Sequence, residues 1–228
     1  MSGVDLFGVP IPDEAGKGAE GTCDPTLVQK LLVERVPWLG PSHRVKLKAK
    51  GGLSHRPGEP VYWLPPRGSG KLRTMIVGLH AGQEEMRLQK ILVGPTGQTL
   101  ESALRQQGGI LMEDCHLTNL IKYYLPPKTV VPREAVDLCM PYLRREIEQA
   151  GPELILCLGS EAFSHLTGYE GGMDDFRGGR VFHEGLGCHV AVVWMPSVVL
   201  TTPELKKTWV TGLRAVFQMH HSAATTNR

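Results

Sequence analysis

TMIVGL, residues 74–79, is a short apolar run with glycine at its end, and such a run reads as a strand buried on both faces of a parallel sheet. The pattern around it repeats. CHLTNLI (115–121) and ELILCLG (153–159) read as further strands, and Arg177 to Phe182 and His189 to Trp194 read as two more. Helical segments separate them. Thr96 to Gln107 has Leu100 and Leu104 on one face and stops at Gly108-Gly109. Pro132 opens PREAVDLCMPYLRREIEQAG, in which Pro141 predicts a kink or two shorter pieces. Ser160 is placed to cap EAFSHLTG, and a last helix runs from about Pro203 to Met219. Strands alternating with helices predict an α/β fold, a three-layer αβα sandwich around a central, mainly parallel sheet of four to five strands.

The flanks differ from this core. Residues 1–26 are rich in Gly, Pro and acid without periodicity and read as a flexible tail. Residues 27–71 read as a helix, TLVQKLLVERV ended by Pro37, followed by a basic Gly/Pro-rich segment. The sheet domain is expected over 72–220, and 221–228 as a disordered tail.

A hydrophobic fraction of 41% and a charged fraction of 21% are ordinary for a water-soluble globule, and no apolar run approaches the ~18 residues of a membrane span. The N-terminus lacks the basic start and unbroken apolar core of a secretory signal, so an intracellular location is expected. Five cysteines without a C-x-x-C pair signal neither a disulfide framework nor a zinc ribbon. The net charge is only +2, yet residues 43–73 hold Arg44, Lys46, Lys48, Lys50, Arg56, Arg67, Lys71 and Arg73 against Glu59 alone. That segment suits phosphate contacts, with a solvated basic loop as the alternative.

In parallel sheets ligands bind beyond the carboxyl ends of the strands, which directs attention to Gly78–Gly82, Asn119–Pro127, Gly159–Ser160 and Met195–Ser197. Gly78-Leu79-His80-Ala81-Gly82, Ile91-Leu92-Val93-Gly94-Pro95-Thr96-Gly97, Leu117-Thr118-Asn119-Leu120-Ile121-Lys122 through Pro126-Pro127, Leu158-Gly159-Ser160-Glu161-Ala162, Arg177-Gly178 and Met195-Pro196-Ser197 occur in that order. In order and spacing this set resembles family 4 of the uracil-DNA glycosylases, over roughly residues 72–218.

The resemblance implies a DNA-binding protein that flips a nucleotide out of the stack, and it implies roles for individual residues. Asn119 matches the amide that hydrogen-bonds the edge of the flipped base; the alternative is an Asn that caps or turns the chain at a strand end. Gly78 and Gly82 match the first loop's glycines. Leu92 stands where the family stacks a Phe on the base, and offers apolar contact without an aromatic face. Leu79 stands where the family has the Glu that holds water. His80 beside it is the candidate water-positioning or base-contacting group, an ordinary surface histidine being the alternative. Met195 stands where family 4 has a His, and M-P-S resembles the thymine-DNA glycosylase branch.

Met195, Pro196 and Ser197 are expected to press on the DNA strand, with Lys71, Arg73, Lys122 and Lys206 as further DNA contacts. The family's iron–sulfur cysteines are not reproduced: Tyr123 replaces one, Cys139 matches another, and the N-terminal pair is missing, so no metal and no cofactor is expected.

The expected function is that of a monofunctional DNA glycosylase hydrolysing the N-glycosidic bond of a deaminated or modified pyrimidine. Two alternatives stand beside it: a catalytically silent DNA-binding or base-sensing module of a replication or repair assembly, and a nucleoside hydrolase. The expected partner is DNA, as a duplex with a flipped nucleotide or as a single strand, with no membrane. A monomer is expected, with the N-terminal region offered as a protein-binding segment.

Overall fold

A computed structural model describes residues 64–106, 109–125, 130–131, 133–171 and 179–226. The expected tail and helix of residues 1–36, the basic segment as far as Trp63, Cys23, Pro126, Pro127, Arg177 and Gly178 lie outside the described residues.

Five strands form one sheet: β1 (Thr74–Ala81), β2 (His116–Tyr124), β3 (Leu154–Leu158), β4 (Arg180–His183) and β5 (Cys188–Val193), in the spatial order β2-β1-β3-β5-β4. The pairs β1–β2, β1–β3 and β3–β5 are parallel, while β4 runs antiparallel along β5 at the edge. The expectation of a mainly parallel sheet of four to five strands therefore holds, and β4 is the antiparallel member. β1 is an interior strand, paired on both sides, and its first five residues are buried, as a run of apolar residues requires when helices cover both faces.

Helices α1 (Gln83–Leu88), α2 (Gly94–Gln106), α3 (Arg133–Ala150), α4 (Ser160–Thr167), α5 (Pro196–Thr201) and α6 (Leu205–Thr226) complete the unit. Leu100 and Leu104 of α2, Val199 of α5 and Trp209, Leu213 and Phe217 of α6 pack with Ile76, Leu117, Leu156 and Val193 of the sheet in one buried cluster. The other face carries α3, whose Glu146 reaches Thr118 and Lys122 of β2, and α4. Helices on both faces of the sheet give the three layers.

Several boundaries moved. α1 and α5 are short helices where loops were expected. Pro141 lies exposed within a single helix rather than dividing α3. Ser160 begins α4 without capping it, and Gly159, with φ 94°, takes the cap position. The last helix runs on to Thr226.

Residues 64–73 belong to the same unit. The Leu64 amide donates to the Lys122 carbonyl at 2.6 Å, and Arg67 and Leu117 exchange backbone bonds at 3.0 and 2.7 Å, along β2.

Candidate functional site: a glycine-backed amide at the sheet's carboxyl edge

Parallel β1, β2, β3 and β5 end on a common side, so His80–Gly82, Tyr124-Leu125, Gly159–Ser160 and Trp194–Ser197 share one edge of the sheet. β1 departs to β2 on one side and the chain returns to β3 on the other, which places the topological switch at β1.

Gly78 and Asn119 are rung partners in the β1–β2 ladder. A β-carbon at residue 78 would fall on Asn119 Oδ1, so only glycine lets the carboxamide lie over β1. Asn119 is 3% exposed, and its Nδ2 is buried with no hydrogen-bond partner among the described residues. A donor left so costs roughly 1–3 kcal/mol, and buried polar groups elsewhere in proteins are nearly always paired. A ligand acceptor, such as a carbonyl on the edge of a base, would complete it.

His80 is two residues beyond Gly78 and partners Ile121 before the register slips between His80 and Ala81. Side chains alternate along a strand, so residues 78 and 80 address the face that carries Asn119. The imidazole is half-buried, and its Nδ1 lies 3.0 Å from the Ala81 carbonyl. A carbonyl only accepts, so this contact puts the hydrogen on Nδ1 and leaves Nε2 of the neutral ring as an acceptor. Leu79 is half-buried and brings no polar atom.

The loop from Gly82 to Leu92 is organised by a residue that sequence reasoning missed. The Glu85 carboxylate is buried; one oxygen accepts from the Gly82 amide at 2.5 Å and the other accepts from the Leu92 amide. Burial pushes this carboxyl above the usual range, against the two amides and Arg67, which lower it. Its bond to the Gly82 amide three residues back is the N3 half of a capping box, the half that a glycine cap still allows. Arg67, read from sequence only as part of the basic segment suited to phosphate, instead donates from Nε to Ile91 O at 2.7 Å and from Nη2 to Leu92 O at 3.0 Å.

Leu92 is 3% exposed within the core cluster. A cleft of about 250 Å³ opens beside it, lined also by Arg67, Gly97, Glu101 and Glu113. His80 and Asn119 do not line it.

Met195 caps α5, Pro196 is its first residue and is buried, and Ser197 is exposed, followed by exposed Val198 and Leu200. The turn is fastened from behind, because Trp209 Nε1 donates to Trp194 O at 2.9 Å and the Gly159 amide donates to Val193 O at 2.8 Å. Lys206 is exposed in the first turn of α6.

One expected DNA contact is corrected, and two others are placed away from the carboxyl edge. Lys122 is fully buried, with its ammonium 2.7 Å from Glu146 and 2.6 Å from Thr118, and so cannot reach a phosphate. Burial lowers its pKa, and Glu146 opposes that. Burial raises Glu146, but His116, Lys122 and Thr118 outweigh it and hold the carboxyl below the usual range. Lys71 and Arg73 precede β1 and lie at the amino edge of the sheet, roughly 20 Å of strand away from His80–Gly82. Arg73 is paired there with Glu153 at 2.5 Å.

Of the positions matched to the cluster cysteines of family 4, Tyr123 and Cys139 lie among the described residues. Tyr123 is buried and offers no thiolate, and the neighbouring Cys139 is buried, its thiol pushed up to about 12 by burial. No group of three or more His, Cys, Asp or Glu among the described residues is arranged to hold a metal ion. No helix among them is long and apolar enough to cross a membrane.

Comparison with known proteins agrees with this architecture. The family model of the uracil DNA glycosylase superfamily matches residues 65–214. A type-4 uracil-DNA glycosylase of Pyrobaculum aerophilum is 32% identical over 151 residues, covering 63% of this chain and 76% of its own length. One from Archaeoglobus fulgidus is 26% identical over 163 residues, covering 69% and 81%. A Bacillus phage SP01 protein named DNA polymerase is 30% identical over 101 residues, covering 44% of this chain and 11% of its own length. With a glycine-backed amide at the carboxyl edge of a β2-β1-β3-β5-β4 sheet and a family match over most of its described residues, the chain belongs to the uracil-DNA glycosylase superfamily, beside its type-4 members.

Proposed function

We propose that this protein is a DNA glycosylase that flips uracil, or a related deaminated or modified pyrimidine, out of DNA and hydrolyses its N-glycosidic bond. The observation that carries the reading is the buried, unpartnered Nδ2 of Asn119, held over Gly78 on the face that His80 addresses. The names of the type-4 relatives support it. Asn119 Nδ2 donates to a carbonyl of the base, and that bond strengthens as the departing base takes up negative charge. His80 Nε2 accepts a hydrogen from water and orients its oxygen toward C1′. The C1′–N bond breaks with its electron pair leaving on the base, the water oxygen bonds to C1′, and the water's proton neutralises the base. The products are an abasic site and the free base. Leu92 supplies the apolar wall, and Met195, Pro196, Ser197 and Lys206 engage the strand, with exposed Val198 and Leu200 as apolar wedges at the same turn.

The test is incubation with single strands and duplexes carrying uracil, hydroxymethyluracil or mispaired thymine, scored for alkali-labile sites. Cleavage at uracil, lowered roughly 10- to 100-fold by Asn119→Ala, is the expected result. An intact strand for every base at stoichiometric protein overturns the enzyme.

Leu79, at the position of the water-holding carboxylate, favours a second reading as a non-catalytic base-sensing module, and the phage polymerase relative supports a setting in replication. That reading expects preferential binding of modified DNA without cleavage, and a Kd unchanged by His80→Ala.

A further inference from the structure

Leu92 has φ 50°, a left-handed backbone that an L-residue with a side chain adopts only when its surroundings impose it. Here they impose it from three directions. Glu85 accepts the Leu92 N–H, Arg67 Nη2 donates to the Leu92 carbonyl at 3.0 Å, and Gly97 packs on that same carbonyl so closely that any β-carbon at residue 97 would overlap it. Arg67 Nε also holds the preceding carbonyl, that of Ile91, at 2.7 Å. The second oxygen of Glu85 accepts from the Gly82 amide, at the end of the loop that bears His80. Glu85 is buried at 8% exposure and Arg67 is half-buried, so both grips are sheltered from competing water.

We propose that Arg67 and Glu85 are positioning residues for the base pocket: they grip the Leu92 backbone from opposite ends, fix the apolar wall against which the base packs, and tie that wall to the His80–Gly82 loop. This rests on the reading of Leu92 as the base-packing residue. Arg67 lies outside every motif of the resemblance, and a lysine there could not reproduce a planar fork that spans two carbonyls. Neither residue touches the reacting atoms; both act through a backbone they do not share with Asn119. Their loss therefore falls on discrimination between a modified and an ordinary base, and leaves phosphate-driven affinity intact.

The experiment uses the full chain with two readouts. Amide hydrogen exchange is followed at Gly82 and Leu92, and binding is compared between a uracil-bearing duplex and the same duplex without uracil. In the unsubstituted protein the Gly82 amide is expected to be protected although its residue is exposed. Glu85→Ala is expected to accelerate both amides together by tenfold or more. Arg67→Ala is expected to accelerate Leu92 and spare Gly82. Each is expected to lower the preference for the uracil duplex at least tenfold with affinity for plain duplex within twofold, and Arg67→Lys is expected not to rescue. Should Glu85→Ala fail to fold, Glu85→Gln, which preserves shape and removes one acceptor, takes its place. Unchanged exchange at Gly82 and Leu92 overturns the grip. Accelerated exchange with unchanged discrimination overturns its role in the pocket. A loss of preference that appears only in the variants belongs to this inference, whereas absence of any preference in the unsubstituted protein overturns the glycosylase reading itself and the pocket role with it.

Discussion

The carboxamide of Asn119 rests on the α-carbon of Gly78, its rung partner, and occupies the volume in which any other residue at position 78 would place its β-carbon. The two residues are 41 apart in the chain and function as one element, since the amide has its orientation only while the glycine stays bare. Gly78→Ala is therefore expected to turn Asn119 away or to part β1 from β2. Overpacking of this kind costs roughly 1–3 kcal/mol. Urea unfolding should show the loss, and the variant should match Asn119→Ala in its lost preference for uracil DNA; a variant that keeps full preference would show that Asn119 does not need this seat.

His80 differs from its neighbours in the expected signature of its removal. His80→Ala should lower the single-turnover cleavage rate by roughly 10²–10⁴-fold, the usual range for a group that positions or activates water. Affinity for DNA should be preserved, because phosphate contacts come from other residues. A rate within threefold of the unsubstituted protein would remove His80 from the chemistry.

The Lys122–Glu146 pair belongs to stability rather than to DNA. Lys122→Met strands Glu146 beside Thr118 and His116, and a broken buried pair costs roughly 3–5 kcal/mol. Adding Glu146→Leu should recover most of that loss in thermal unfolding. Glu146 is held below its ordinary range, so its contribution to stability is present above that range and is lost as pH falls through the lowered value. An acid-unfolding midpoint that shifts upward in Lys122→Met, as Glu146 loses its partner, checks the sign.

Glu85 predicts the reverse for stability. Its carboxyl is held above the usual range by burial, with Arg67 the charged group facing it, so the folded chain favours the protonated form and holding the charge at neutral pH is a cost. Stability from this group is flat above the raised value and rises as pH falls through it toward the ordinary carboxyl range. Glu85→Gln removes the charge together with one acceptor, so the sign is read from the pH dependence: the gain in Tm as pH falls into the carboxyl range should be smaller in the variant than in the unsubstituted protein, and a variant that keeps it in full would contradict the raised direction.

The strands were legible because each is an apolar run closed by a turn signal, and TMIVGL, ELILCLG and the run before Met195 give the sheet almost residue for residue. The direction of β4 was not, because an edge strand of four residues carries no mark of being parallel or antiparallel. α1 and α5 escaped because six residues are too few to display a helical period. Asn119 was found through its flanking motif, whereas Lys122 was misjudged: a lysine in a strand reads as surface until its partner, 24 residues away, is seen. Glu85 was missed, and Arg67 was read only as one charge of a basic stretch, because their partners are backbone amides and carbonyls, which every residue has and which leave no trace in the order of side chains.

The indole of Trp209 reaches the carbonyl of Trp194, one residue ahead of Met195, and the Gly159 amide takes the carbonyl of Val193 just before that. Both fastenings are to main-chain atoms upstream of the turn, so its path does not depend on the chemistry of the side chain at its tip. Exchanging the side chain at position 195 should therefore change what the turn presents at the carboxyl edge while the path of its main chain stays in place.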